Sequence, residues 1–357
     1  MMQDFKTKLG AYLELAQAQG ASDLHLGAGR RPALRIDGSL MALAKEPMLQ
    51  QEDVQGFVDV LLSDSQRKKF LEDRELDFGY THEEKTRCRC NVYFQKGYIS
   101  IALRLIPRVI KGIEELRLPP IMHEFTKMSQ GFFLVVGPAG HGKSTTLAAI
   151  MDEVNHTRFD HLITIEDRIE YVFEPDRCII DQREVGFDTV SFNRALKSVL
   201  RQDPDLIMIG EMRDPESIEI ALTAAETGHL VFSTLHTNSA SQTIDRIISS
   251  FAAEQQSQIR SQLASTLVGI LSERLVPRIE GGRVPATEVM LANAAVKNLI
   301  RENKIYQIDL VIETSLEEGM ISLNRSLADL VKRREITPES AYLYSLNSSE
   351  LKNFLVI

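Results

Sequence analysis

Residues 137 to 144 read Gly-Pro-Ala-Gly-His-Gly-Lys-Ser and satisfy every fixed position of the phosphate-loop pattern G-x-x-x-x-G-K-[ST]. More than any other segment, this one limits what the chain can fold into. The run Phe132-Phe133-Leu134-Val135-Val136 before it is apolar throughout, as in a buried strand, and Leu147, Ile150, Met151 and Val154 after it recur at helical spacing. Strand, glycine-rich turn and helix form the context that phosphate binding requires. The N–H groups of the turn and the positive end of the helix converge on one anion, and Gly137, Gly140 and Gly142 let the backbone come close to it. Lys143 is placed to reach the β- and γ-phosphates of ATP, and the Ser144 hydroxyl to bind Mg²⁺. Pro138, Ala139, His141 and Thr145 complete the expected nucleotide-binding segment. At the variable position of His141 the backbone matters more than the side chain, so no catalytic role is assigned to that ring.

A chain of 357 residues is too long for one ordinary core and implies two domains. With 43% apolar and 25% charged residues it has the composition of a soluble globular protein. The net charge of −9 and the lack of an interleaved basic and aromatic segment count against direct nucleic-acid binding. No apolar run approaches the roughly 18 residues of a membrane span, and the N-terminus lacks a signal-peptide core. A cytoplasmic protein that meets the membrane only through a partner is therefore expected. The three cysteines, Cys88, Cys90 and Cys178, offer no C-x-x-C metal pair; Cys88 and Cys90 alternate along one strand face and read as buried thiols.

Residues 1–106 read as a mixed α/β domain. Its expected elements are a helix over Phe5–Gln19 ended by Gly20, short strands at Leu24–Leu26 and Ala33–Ile36 followed by an Asp37-Gly38 turn, and helices over Gln51–Leu62 and Ser65–Glu72. Two strands, Arg87–Phe94 and Tyr98–Leu105, close it around Gln95-Lys96-Gly97. Prolines and Gly112 mark residues 107–120 as a linker. From residue 121 to 284, apolar strands alternate with helices, the pattern of a parallel sheet: Phe132–Val136, Leu162–Ile165, Leu206–Ile209 and Leu230–Thr234. An amphipathic helix carries Phe192, Ala195, Leu196, Val199 and Leu200. Ile259, Leu263, Leu267 and Leu271 read as one face of another helix ending before Pro277, and residues 285–357 read as short helices.

Ligands of open parallel sheets bind beyond the carboxyl ends of the strands. Glu166-Asp167, Gly210-Glu211 and Leu235-His236 come after successive strands and so converge on the edge that carries Lys143. Phosphoryl transfer to water needs a group that orients the water and cations that offset charge on the phosphoryl. Glu211 is the candidate for the first task. Glu166 and Asp167, with Ser144, are the candidates to hold Mg²⁺, partly through its waters, because this ion sheds its hydration shell reluctantly. His236 is a candidate γ-phosphate contact, whereas His229 starts the same strand on the wrong edge and reads as packed or capping.

The block Leu200-Arg201-Gln202-Asp203-Pro204-Asp205-Leu206-Ile207-Met208-Ile209-Gly210-Glu211-Met212-Arg213-Asp214 closely resembles the signature of the type II secretion and type IV pilus ATPases. Ile163–Asp167 resembles that family's Asp box and Ser233–Ala240 its His box. Ala21–Leu26, Arg35–Gly38 and the helix-like Ala295–Glu302 are similar to segments of its pilus-retraction branch. The resemblance implies a PAS-like N-terminal domain, a RecA-like P-loop ATPase domain with a helical C-terminal appendage, and a homo-hexameric ring. It implies nucleotide held between the domains, with Arg89 and Arg104 closing on phosphate. It also implies an inner-membrane pilus platform protein as partner, with a paralogous pilus ATPase as a further one, and a role in retraction beyond hydrolysis for Ala295–Glu302. Assembly and secretion ATPases share this chemistry, and a regulatory ring subunit that binds nucleotide with weak activity is a further alternative. The absence of a C-x-x-C module points away from the assembly and secretion branches. His141, Arg168 and Phe173 depart from the family pattern, but none removes a group that the chemistry needs.

Overall fold

The computed structural model describes residues 2–36, 39–83, 86–106 and 109–355. The turn expected at Asp37-Gly38, and Pro107 at the start of the expected linker, lie outside the described residues. The chain divides into two compact units, residues 1–108 and 109–357.

The first unit runs α1 (Met2–Ala18), β1 (Asp23–Gly27), β2 (Ala33–Ile36), β3 (Ser39–Ala42), α2 (Gln51–Leu61), α3 (Asp64–Asp73), β4 (Glu75–His82), β5 (Thr86–Gln95) and β6 (Tyr98–Leu105). Its six strands form one sheet in the order β3-β2-β1-β6-β5-β4, antiparallel at every pairing. Local chemistry accounts for the breaks. Ser63 and Gln66 form a reciprocal capping box at the start of α3. Lys96 and Gly97 both take positive φ, the two-residue turn whose twist matches an antiparallel hairpin. Leu9, Leu13, Leu24, Leu26, Phe57, Cys88, Cys90 and Val92 meet in one core, so both cysteines of β5 point inward. The sequence pattern does not predict β3 or β4. Every residue of β3 is exposed, and β4 opens with charged residues, so neither shows a buried alternation.

The second unit begins α4 (Met122–Thr126), β7 (Gly131–Val136), α5 (Lys143–Thr157), β8 (His161–Glu166), β9 (Ile179–Glu184), α6 (Phe192–Val199), β10 (Leu206–Ile209), α7 (Pro215–Glu226) and β11 (Leu230–Leu235). It continues α8 (Ala240–Ser249), α9 (Ala253–Thr266), β12 (Leu267–Pro277), β13 (Arg283–Leu291), α10 (Ala294–Arg301), α11 (Ile308–Thr314), α12 (Leu323–Lys332), α13 (Pro338–Tyr344) and α14 (Ser348–Leu355). The sheet order is β13-β12-β7-β11-β10-β8-β9, parallel except for the β12–β13 pair. Successive β7 residues feed opposite cores: Phe132, Leu134 and Val136 pack on one face, Phe133 and Val135 on the other. Burial on both faces is why these strands read as unbroken apolar runs.

Three sequence readings need correction here. The helix read through Leu267 and Leu271 stops at Thr266, and both leucines belong to β12. A four-residue spacing fits a helix face, but four is also even and fits a strand; β12 bonds to β7 on one side and β13 on the other. A register shift between Leu267 and Gly269 then sends the two leucines to different cores. Pro285 lies inside β13, so the C-terminal helices start only at α10. In the segment read as a linker, Ile113 and Leu118 are buried against Phe125 and Phe133.

That segment is also clamped by charge. His123 Nε2 lies 2.8 Å from Glu114 Oε1 and Nδ1 lies 2.7 Å from Glu153 Oε2, on α5. The hydrogen bond to Glu153 is the main cause of a raised His123 pKa. A raised folded value stabilises the protein fully below the unfolded value near 6.5 and is lost as pH rises through the folded one. We expect the melting temperature to fall by a few degrees as pH rises above 6.5, and Glu153→Gln to flatten that slope; an unchanged slope in a pH series of melting curves would contradict the clamp.

Candidate nucleotide-binding and hydrolysis site

The phosphate loop leaves β7 at Gly137 and enters α5 at Lys143. Gly142, at φ +102°, precedes the helix, and no side chain caps its first N–H groups, whereas Ser191, Asp214 and Ser239 cap α6, α7 and α8. The uncapped donors and the helix dipole favour an anion at this end. Gly137 takes φ +149°, and a Cβ there would stand 2.4 Å from the Glu273 carbonyl oxygen, so only glycine fits between loop and β12. Lys143 is buried; its Nζ donates to Gly137 O and Pro138 O at 2.9 Å each. The Ser144 side chain is exposed, and the Thr145 hydroxyl lies 2.8 Å from Tyr171 Oη.

Glu211 comes directly after Gly210 at the end of β10, and His236 comes directly after β11, the neighbouring parallel strand. His236 Nδ1 lies 3.3 Å from Lys143 Nζ, and its Nε2 lies 3.1 Å from Glu211 Oε2. An ammonium only donates and a carboxylate only accepts. His236 is therefore in the tautomer with the proton on Nε2. Although the ring is half-exposed, partial desolvation together with the nearby Lys143, Arg213 and Arg246 charges holds its pKa below the usual histidine value, which favours the neutral ring. Arg213 continues the chain: its Nε donates to Glu211 Oε1, and its guanidinium pairs with Asp167 at 3.5 Å. Lys143, His236, Glu211, Arg213 and Asp167 thus form one line along the carboxyl edge.

Glu166 stands apart from that line. Its Oε1 accepts from the Thr164 hydroxyl at 2.6 Å and from Gln182 Nε2 at 3.3 Å. Burial pushes its carboxyl up to about 7 despite those bonds. A cation nearby would favour its ionised form. Asp167, at the next position, is exposed. His229 bonds Ala224 O at 2.9 Å, closing the end of α7. Phe173, one of the departures from the family pattern, is buried in the core that holds Phe133. His141 is engaged after all: its Nδ1 accepts the Leu275 N–H of β12 at 2.9 Å.

Arg89 and Arg104 lie in the first unit, where they face each other across β5 and β6. Arg104 bonds Asp23 Oδ1 at 2.9 Å while its side chain stays 65% exposed.

Sequence reasoning missed Glu273, a carboxylate 1% exposed on β12 that accepts the Thr146 hydroxyl at 2.7 Å. The helix read over this segment gave Glu273 no part in the site. The usable signal was Val268-Gly269-Ile270, a β-branched and glycine run that disfavours a helix interior.

A parallel sheet with a phosphate loop after β7, and a carboxylate after β8 and β10, defines a RecA-like P-loop nucleotide-binding domain. The chain belongs to the family described as type II/IV secretion system protein, whose pattern it matches over residues 6–303. It is 44% identical over 329 residues to the Pseudomonas aeruginosa protein named type IV pilus retractation ATPase PilT, covering 92% of this chain and 95% of that one. To the type IV pilus ATPase PilU of the same organism it is 37% identical over 341 residues, 95% of this chain and 89% of the other. The crystal structure of the pilus retraction motor PilT with bound ADP matches the fold with a TM-score of 0.89 at 46% identity, covering 96% of this chain and 98% of that one.

Proposed function

We propose that the chain hydrolyses ATP as a homo-hexameric motor that drives type IV pilus retraction. The observation that carries this reading is the Lys143–His236–Glu211 line, set on a chain similar to retraction ATPases along nearly its whole length. Lys143 and the open end of α5 bind the phosphates, Glu211 orients or activates the attacking water, and His236 ties the two together.

Mg²⁺ fits the donors present. Among the described residues no three acidic, His or Cys side chains group as a metal cage. A cage is not what this ion needs beside a nucleotide, where it keeps several waters and takes one or two protein oxygens. The exposed Ser144 hydroxyl would be the direct donor, and Asp167 and Glu166 would act through water. When bound, the ion offsets charge on the phosphates. Arg89 and Arg104 are the candidates to supply further positive charge to the transferred phosphoryl. No helix among the described residues is long and apolar enough to cross a membrane. The motor works at the cytoplasmic face of the inner membrane through a platform protein, with a paralogous pilus ATPase as a further partner.

A deletion strain tests the direction of the motor. Loss of retraction leaves excess surface pili and no twitching; a bald strain would mean assembly instead. Purified protein that binds ATP and forms a ring without turnover would mean a regulatory subunit.

The α10 helix offers a separate test. Val296 and Ile300 are buried, while Arg301 is exposed and bonds only weakly to Asn298 at 3.4 Å. We expect Arg301→Ala to keep ATPase activity within about twofold, as surface substitutions do, yet to abolish motility. A parallel fall of both would make α10 a structural element only.

A further inference from the structure

β12 pairs with β7 only as far as Ser272 opposite Val136; from there to Pro277 it runs on beyond the end of β7, still paired with β13. In that overhang the side chains and backbone alternate between two neighbours. Ser272 Oγ donates to Asn238 O at 3.1 Å, and an Arg274 guanidinium nitrogen donates to Asn238 Oδ1 at 3.0 Å. Asn238 lies two residues after His236. Glu273 takes the Thr146 hydroxyl of α5, and the Leu275 N–H is taken by His141 of the phosphate loop. The odd and even positions of one short segment therefore grip the two loops that meet at Lys143 and His236.

Glu273 is the tightest part of that grip. Its carbonyl oxygen lies against Gly137, and its Oε1, buried and without a hydrogen-bond partner, faces Gly142. On the other side, Glu288 of β13 accepts the first N–H of α8 at 2.7 Å, so the turn after His236 is held from the neighbouring strand too. The antiparallel β12–β13 pair carries the C-terminal helices: Val276, Val284 and Ala286 pack with Leu323, Leu327 and Leu330.

We infer that Ser272–Leu275 is a splint that fixes the His236 turn against the phosphate loop, with Glu273 the positioning residue on the loop side. The inference rests on the hydrolytic reading above and adds to it the element that sets the spacing of its two halves. Burial pushes the Glu273 carboxyl up to about 7, so a neutral isostere is a fair replacement. The splint predicts a particular pattern of loss. The diphosphate of ADP needs the loop alone, whereas the third phosphate of ATP also meets the groups at the carboxyl ends of β10 and β11. Loosening the splint should therefore spare ADP and penalise the triphosphate.

The test uses the full chain with Glu273→Ala, Ser272→Ala and Glu273→Gln, measuring kcat, KM, and affinities for ADP and a non-hydrolysable ATP analogue. We expect Glu273→Ala to lower kcat about 10–100-fold, the scale of an ångström-level misplacement, and to lower analogue affinity while ADP affinity stays within about twofold. Ser272→Ala should show the same pattern more weakly, and Glu273→Gln, which keeps an acceptor for Thr146, should recover most of the loss. Equal losses for ADP and analogue would overturn the inference in favour of local damage to the loop. A lowered melting temperature with unchanged kinetics would overturn it in favour of simple packing. Should the wild type bind nucleotide but not hydrolyse it, the hydrolytic reading fails, while the ADP-against-analogue comparison still decides the splint.

Discussion

Replacing Glu211 with Gln is expected to lower kcat for ATP by roughly 10²–10³-fold while nucleotide affinity changes by no more than about threefold. The side chain is held from two sides, by His236 at 3.1 Å and by Arg213, and is only 18% exposed. Gln keeps the length of Glu and one oxygen that can accept from either neighbour, so the site should keep its shape. It lacks the negative charge and the basicity to take or orient a proton of the attacking water. The loss should therefore fall on the chemical step. Steady-state ATPase assays with a fluorescent-nucleotide titration measure the two quantities separately. Turnover close to wild type would assign the water to another group.

Gly137→Ala should be the most damaging single methyl group in the domain. The added carbon would sit 2.4 Å from the backbone oxygen of Glu273, and φ +149° is a region that L side chains rarely enter. Neither strain has a flexible side chain to absorb it, because the obstacle is the main chain of β12. We expect a loss of about 2–4 kcal/mol of stability, from overpacking and backbone strain together, and an ADP affinity at least tenfold weaker. Gly140 is the control. It also has positive φ, at +77°, but a Cβ there meets nothing within 4 Å. Gly140→Ala should cost only about 1–2 kcal/mol, the penalty of a left-handed conformation. Thermal denaturation and ADP titration of the two variants should separate them; equal effects would mean that close approach to β12 is unimportant.

Both predictions concern positions that are easy to find in the sequence. The phosphate loop is a motif, and Glu211 stands just past the carboxyl end of a strand that is apolar throughout. Parallel strands covered on both faces announce themselves, which is why β7, β8, β10 and β11 were all legible. Strands with one partner, or none on one side, were not. β3 is exposed along its whole length, and β9 alternates polar residues against a partly open face. β12 failed for a different reason: its leucines recur at a spacing that helix and strand share, and the two are distinguished only by pairing with β7 and β13, a long-range fact. Glu273 was lost with it. A buried carboxylate near a phosphate site looks unfavourable until Thr146 and the loop are in place around it, and those lie far away in the chain. His141 shows no side-chain task in the sequence for the same reason, since the backbone N–H that it accepts belongs to that unforeseen strand.

The thiols have a practical consequence. Cys88, Cys90 and Cys178 are all buried. Burial pushes the Cys88 thiol up to about 12 and raises Cys90 and Cys178 as well, so little reactive thiolate is present at neutral pH. A maleimide dye should therefore find the native surface silent. A cysteine introduced at an exposed position, such as one replacing Ser261 on α9, would be the only fast-reacting site. Distances between such labels could then be followed during turnover in a chain that keeps all of its own cysteines.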